Sequence, residues 1–197
     1  MLEVTLLGSP EVRLHGQPVT GFRSSKAQAL FFYLALARRP VQRGTLVGLL
    51  WADQDESQAR VNLNQTLSNL RKLLGDYIDA DRQSLRFVRN LPHHLDVEHF
   101  ATVARRADQA DLGALTTAAD AYRGDFLEGF FVRDCAEFED WLAAERSHLR
   151  ESAIYLLTTA SHRHVEVGDL ARAVTLLRRL LRIEPWREPQ QRNLMML

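Results

Sequence analysis

The stretch "ARVNLNQTLSNLRKLLG", Ala59 to Gly75, constrains the fold of this 197-residue chain more than any other. Leu63, Leu67, Leu70 and Leu74 recur at i, i+4, i+7 and i+11, the spacing of one face of an α-helix, and Gly75 follows where a cap glycine would end it. At about 100° per residue, the opposite arc holds Val61, Asn64, Gln65, Ser68, Asn69, Arg71 and Lys72. A solvated helix face is usually rich in Glu–Lys pairs, yet no acid stands between Glu56 and Asp76. Amides and hydroxyls both donate and accept, as base edges require, while Arg and Lys suit phosphates or guanine. On the helix alone, a DNA-contacting face and a plain polar surface both fit.

The neighbouring segments narrow that choice. The first 22 residues contain "LEVTLLG" and "EVRLHG", runs of β-formers broken by Gly8-Ser9-Pro10 and "HGQP", which predict a small antiparallel sheet. Ser24 or Ser25 caps a mostly buried helix through "KAQALFFYLALARR", stopped by Pro40, and a short second helix fits "RGTLVGLLW". After the leucine-striped helix, "YIDADRQSLRFVR" places β-formers on both sides of a polar turn, a hairpin signal. Strands, three helices and a hairpin are the plan of a winged helix, in which the third helix enters the major groove and the hairpin is the wing.

"NLPHHLDVEHF" carries Pro92 and a shift in composition, and the domain boundary is drawn there, giving domains 1–95 and 96–197. From Asp96 onward amphipathic helical segments follow one another, punctuated by Gly113, Gly124 and Gly168, with no strand signal. The 34 residues of "YLLTTASHRHVEVGDLARAVTLLRRLLRIEPWRE" have the look of a tetratricopeptide hairpin. "PQQRNLMML" begins another helical pattern and stops abruptly, so polypeptide is expected beyond Leu197.

Composition matters chiefly for its division. The formal net charge is zero, but residues 1–95 hold 12 basic and 8 acidic side chains and residues 96–197 hold 13 and 17, so the two halves are expected to meet different partners. A hydrophobic fraction of 46% and a charged fraction of 25% are those of a folded globular protein. There is no leader pattern and no apolar run long enough to span a bilayer, so a cytoplasmic location without membrane contact is expected. Cys135, the single cysteine, can form neither an intramolecular disulfide nor a multi-thiolate zinc site and reads as a half-buried small apolar residue.

"SSKAQALFFYLALARRPVQRGTLVGLLWADQDESQARVNLNQTLSNLRKLLGD" resembles the OmpR/PhoB-type winged helix of SARP-like bacterial transcriptional activators, most specifically in "LVGLLW" and "NLNQTLSNLRKLLG". "AYRGDFLEGF", "FEDWLAAERSHLRE" and "GDLARAVTLLRRLLRIEPWRE" resemble the bacterial transcriptional activator domain that follows it in that family. The resemblance covers essentially the whole chain. It implies an α+β winged helix with small antiparallel sheets, followed by an all-α, tetratricopeptide-like domain used for assembly and activation. It also implies binding to double-stranded promoter DNA as a dimer or higher assembly, with recruitment of RNA polymerase.

Carried onto this sequence, the resemblance makes Asn64, Gln65, Ser68, Asn69, Arg71 and Lys72 the recognition-helix residues and Arg82 and Arg86 the wing contacts. Recognition helices of this type are often arginine-rich, whereas Ser68 and Asn69 precede "LRK" here, which predicts weaker and less salt-sensitive binding by a monomer. No receiver-domain pattern occurs in these 197 residues, so no aspartyl phosphorylation switch is expected within them.

No glycine-rich phosphate loop or G-x-S-x-G motif occurs, so neither catalytic residues nor a cofactor are expected. His162 and His164 point in different directions on a helix and His93-His94 sit in a linker, so no metal site is expected either. Trp141 and Trp186 read as packing residues. The reading from another class is a protein-interaction module in which the winged helix is a non-DNA-binding scaffold and the acidic half dominates.

Overall fold

The structure, a computed structural model, describes residues 1–185. The chain forms two compact units, and it passes between them more than once. The first comprises Met1–Thr5, Pro10–His94 and Gly129–Ala144; the second comprises Leu6–Ser9, Leu95–Glu128 and the described residues from Glu145 onward.

In the first unit, β1 (Leu2–Thr5), β2 (Glu11–Leu14) and β3 (Gln17–Pro18) form an antiparallel meander, as the alternating β-formers predict. The fourth strand of this sheet, β7 (His93–Leu95), lies beside β1. The stretch expected to be a linker is thus a strand, because the N–H of Leu2 donates to the Pro92 carbonyl at 3.2 Å and seats it. Pairing of this kind comes from a chain segment some 90 residues away and leaves no local periodicity.

Helix α1 (Ser25–Leu36) begins where Ser24 accepts the Ala27 N–H at 3.2 Å. Ala29, Leu30, Phe31, Phe32 and Leu34 are all buried, as a helix apolar around most of its circumference requires. The two-residue strand β4 (Val41–Gln42) leads into α2 (Arg43–Trp51), and α3 (Glu56–Leu74) follows. Helix α3 starts three residues before the leucine-striped stretch. It buries Leu63, Leu67, Leu70 and Leu74 to 6% exposure or less. Each such leucine is worth about 1.5–3 kcal/mol of transfer free energy. Gly75 ends the helix at φ 58°, a conformation that a residue with a Cβ resists. Strands β5 (Ile78–Ala80) and β6 (Ser84–Phe87) make the expected hairpin, with β4 on the outer edge of β6.

The Gly129–Ala144 segment packs into this same unit through aromatic rings. Phe130 meets Phe32 at 5.4 Å, Phe138 meets Phe130 at 6.2 Å, and Trp141 meets Tyr33 at 4.9 Å. Trp141 is therefore a packing residue; Trp186 and "PQQRNLMML" lie outside the described residues.

The second unit is mainly helical. It contains α4 (Asp96–Ala104), α5 (Leu112–Ala121), most of α6 (Ala136–Glu166) and α7 (Leu170–Ile183). Helices α6 and α7 join through a turn in which Gly168 has φ 79° and Asp169 caps α7 by accepting the Arg172 N–H at 3.1 Å. The residues Leu6–Ser9 also belong to this unit. Leu7 makes an antiparallel bridge to Phe126, a pairing that the absence of strand signal after Asp96 did not predict. The buried Asp96 carboxylate gathers the N–H groups of Leu6, Leu7 and Val97 at 2.8–3.0 Å. Burial pushes its carboxyl above the ordinary value, and these donors oppose that rise. Among the described residues, no helix is long and apolar enough to cross a membrane.

Candidate nucleic-acid interface

The leucine stripe decides which side of α3 faces outward. Asn64, Gln65, Ser68, Arg71 and Lys72 are all exposed, and Val61 among them is 47% exposed. Only Glu56, in the first turn, supplies an acid to the whole helix, and Arg60 pairs with it four residues on. The result is a face of amides, a hydroxyl and cations with little competing negative charge.

Asn69 stands apart. Helical geometry set it at the edge of the outward arc, but it is 7% exposed and fully employed inside the unit. Its Oδ1 accepts the Arg23 N–H at 3.1 Å, and its Nδ2 donates to the Gly21 carbonyl at 3.2 Å. A side chain so engaged is a structural tie and leaves the exposed set. The chain segment that claims it lies nearly fifty residues earlier, beyond the reach of a helical wheel.

Two further members of the face are pre-positioned by neighbours. The Asn64 Oδ1 accepts from an Arg43 guanidinium N–H at 2.9 Å, while Arg43 Nε donates to the Asp81 carbonyl at 3.0 Å. Arg43 therefore links the start of α2, the middle of α3 and the hairpin turn. Arg71 donates to the Ala80 carbonyl at 3.2 Å, a second link between α3 and the hairpin.

The turn itself is locked by Asp81, whose Oδ1 accepts the Gln83 and Ser84 N–H groups at 2.7 Å each. The Gln83 N–H first, and then that of Ser84, hold this carboxyl below the ordinary aspartate value. Arg82 projects from this turn and makes no ion pair among the described residues. Arg86 differs, since Asp79 across the hairpin pairs with it at 2.7 Å.

Arg43, Arg60, Asn64 and Arg82 line one cleft of about 610 Å³ beside α3. Arg71 and Arg86 line another on the hairpin side, where Asp76 and Asp79 offset them. The predicted residues are thus brought to one exposed helix and one hairpin, with Asn69 excluded. Sequence reasoning missed Arg43 and Arg60. Arg60 lay inside the acid-free window one turn before Asn64, so its spacing could have revealed it; Arg43 is joined to Asn64 only through tertiary contact. Among the described residues, no group of three or more His, Cys, Asp or Glu side chains is placed to hold a metal ion.

A family model described as "Bacterial transcriptional activator domain" matches residues 88–196. Transcriptional regulatory protein EmbR of Mycobacterium bovis is 27% identical to this chain over 203 residues, covering 95% of this chain and 50% of the relative. The Mycobacterium tuberculosis protein of the same name matches equally. In three dimensions, Mycobacterium tuberculosis EmbR, solved in complex with a low affinity phosphopeptide, superposes with a TM-score of 0.74 at 25% identity. That match covers 99% of this chain and 54% of the other. The chain spans about half the length of the curated relatives it matches. These likenesses agree with the resemblance to SARP-like regulators carried by the residues themselves.

Proposed function

The chain belongs to the bacterial transcriptional activator domain family, and we propose from that premise that it regulates transcription by reading promoter DNA with α3. Residues 1–95 act as the DNA-binding domain and residues 96–197 as the assembly and activation domain. One observation carries the reading: the outward face of α3 exposes Asn64, Gln65, Ser68, Arg71 and Lys72 with no acid beyond its first turn.

In the major groove, Asn64, Gln65 and Ser68 offer the paired donors and acceptors that discriminate base edges. Arg71 and Lys72 meet the flanking phosphates, and Arg82 and Arg86 do so from the hairpin, fixing register without reading sequence. A face with so few free cations makes a modest monomer binder, so two copies on neighbouring half-sites give the working affinity. The acidic helical half then contacts its own copy or RNA polymerase.

The test is selection of duplexes from a random pool by the wild-type chain, followed by salt titration of the selected duplex. The Gln65→Ala, Lys72→Ala variant is expected to lose about 1–3 kcal/mol of base discrimination at one position. It should also lose about 0.9 from the log–log salt slope. If no duplex is enriched and binding does not depend on salt, α3 is a non-DNA-binding scaffold and the interaction-module reading replaces this one.

A further inference from the structure

A separate cleft of about 430 Å³ opens at the N-terminal half of α3, and its lining joins chain segments far apart in sequence: Arg23, Lys26, Asn62, Gln65, Thr66 and Arg133. Three cations converge there and no acidic side chain lines the cleft. Lys26 is the most engaged of them, 3.7 Å from Asp53 and 5.9 Å from the centre of the Trp51 ring. The side chains of Arg23 and Arg133 are exposed and make no ion pair among the described residues.

Arg133 is held at this place by its neighbours. On one side Phe130 packs on Phe32 at 5.4 Å, and on the other the Cys135 thiol donates to the Leu49 carbonyl at 3.3 Å. The Val132 N–H between them is fixed by the Glu139 carboxylate at 2.9 Å. Anchoring of the backbone on both sides fixes where the Arg133 side chain starts, so that only its own rotamers remain to be ordered on meeting an anion.

We propose that Arg133, with Arg23, receives a phosphate of the DNA backbone on the strand flanking the groove that α3 enters, so that a segment remote from the winged helix in sequence completes its DNA-binding surface. This rests on α3 reading DNA. Gln65 connects the two, because it lies on the outward face of α3 and also lines the cleft. A phosphate row runs along each rim of the major groove, which is about 12 Å wide, so a helix seated in it brings adjacent basic side chains onto those rims. Two exposed guanidinium groups at a cleft with no acidic side chain in its lining suit a phosphate diester, whose oxygens guanidinium groups bind in bidentate fashion.

The test measures Arg133→Ala and Arg133→Lys in the full chain on two duplexes, the one selected by the wild type and one of random sequence, from 50 to 200 mM salt. Arg133→Ala is expected to weaken both by the same factor. Loss of one phosphate contact lowers the log–log slope by about 0.9, so its affinity deficit shrinks about 3.5-fold between those salt concentrations. Arg133→Lys should retain most of the binding and the slope. Unchanged affinity and slope in Arg133→Ala, with wild-type selection intact, would overturn the proposal while leaving DNA reading by α3 standing. Failure of the wild type to select any duplex would remove both. A titration with inorganic phosphate separates the sources: saturable binding lost in Arg133→Ala while DNA affinity stays at the wild-type value would make the cleft a small-anion site and overturn the assignment to DNA.

Discussion

The side-chain oxygen of Asn69 accepts the backbone N–H of Arg23 at 3.1 Å, tying α3 to the segment that leads into α1. The same amide donates to the Gly21 carbonyl at 3.2 Å, so its loss leaves two partners unmade. Asn69→Ala should cost about 1–3 kcal/mol of stability. Ser68→Ala, one residue away but exposed, should stay within about 0.5 kcal/mol of wild type. Chemical denaturation of both variants checks this, and equal losses would refute the division between structural and exposed amides on α3.

Arg82 and Arg86 stand on the same hairpin but are not equivalent. Arg86 is committed to Asp79 at 2.7 Å, whereas the Arg82 charge is unpaired among the described residues. On a DNA duplex, Arg82→Ala should reduce the salt slope by about one unit and Arg86→Ala by less, since an Arg86 charge already neutralised by Asp79 displaces fewer counterions on meeting a phosphate. Salt titrations of the two single variants measure the difference; a larger slope change for Arg86→Ala would reverse the ranking.

Asp125 in the second unit couples acid stability to a local network. Burial opposes its ionisation, but the hydrogen bonds from Arg150 and Tyr122 outweigh burial and hold its carboxyl below the ordinary value of 3.8. Its ionised form is therefore favoured by folding. The stability it contributes is complete above that ordinary value and is lost as pH falls through the lower folded value. Asp125→Asn should flatten the acid limb of a stability-against-pH curve below about pH 4 while altering its neutral plateau by a constant amount. An acid limb identical to wild type would dissociate Asp125 from the acid response.

Cys135 is 5% exposed, and burial pushes its thiol above the ordinary value. The thiolate is the reactive form, so native protein should react with a thiol reagent orders of magnitude more slowly than denatured protein at the same pH. Rapid stoichiometric labelling under native conditions would mean that the Gly129–Ala144 segment opens readily, and it would weaken the anchoring inferred for Arg133.

Much of the fold was legible because its signals are local. The four leucines of α3, the Ser24 cap and the hairpin around Asp81 each arise from neighbours within a few turns of chain, and each has the predicted conformation. Of the residues assigned to the candidate interface, all except Asn69 are exposed. The exceptions share one physical character, in that they depend on a partner distant in sequence. Asn69 is claimed by Gly21 and Arg23, β7 is seated beside β1, and Arg43 meets Asn64 across 21 positions.

The sequence by itself determined the order of β1, β2, the first three helices and the β5–β6 hairpin, the buried side of α3 and the acid-free composition of its outer side, because helical and strand periodicities follow from backbone geometry alone. Tertiary structure alone decided that Leu6–Ser9 leaves the sheet strand for the helical unit, that Asp96 turns inward to collect backbone donors, and that Gly129–Ala144 returns to α1 with Arg133. Those outcomes depend on which buried polar groups and aromatic surfaces find partners across the folded chain, a balance of desolvation against pairing that no local stretch of sequence encodes.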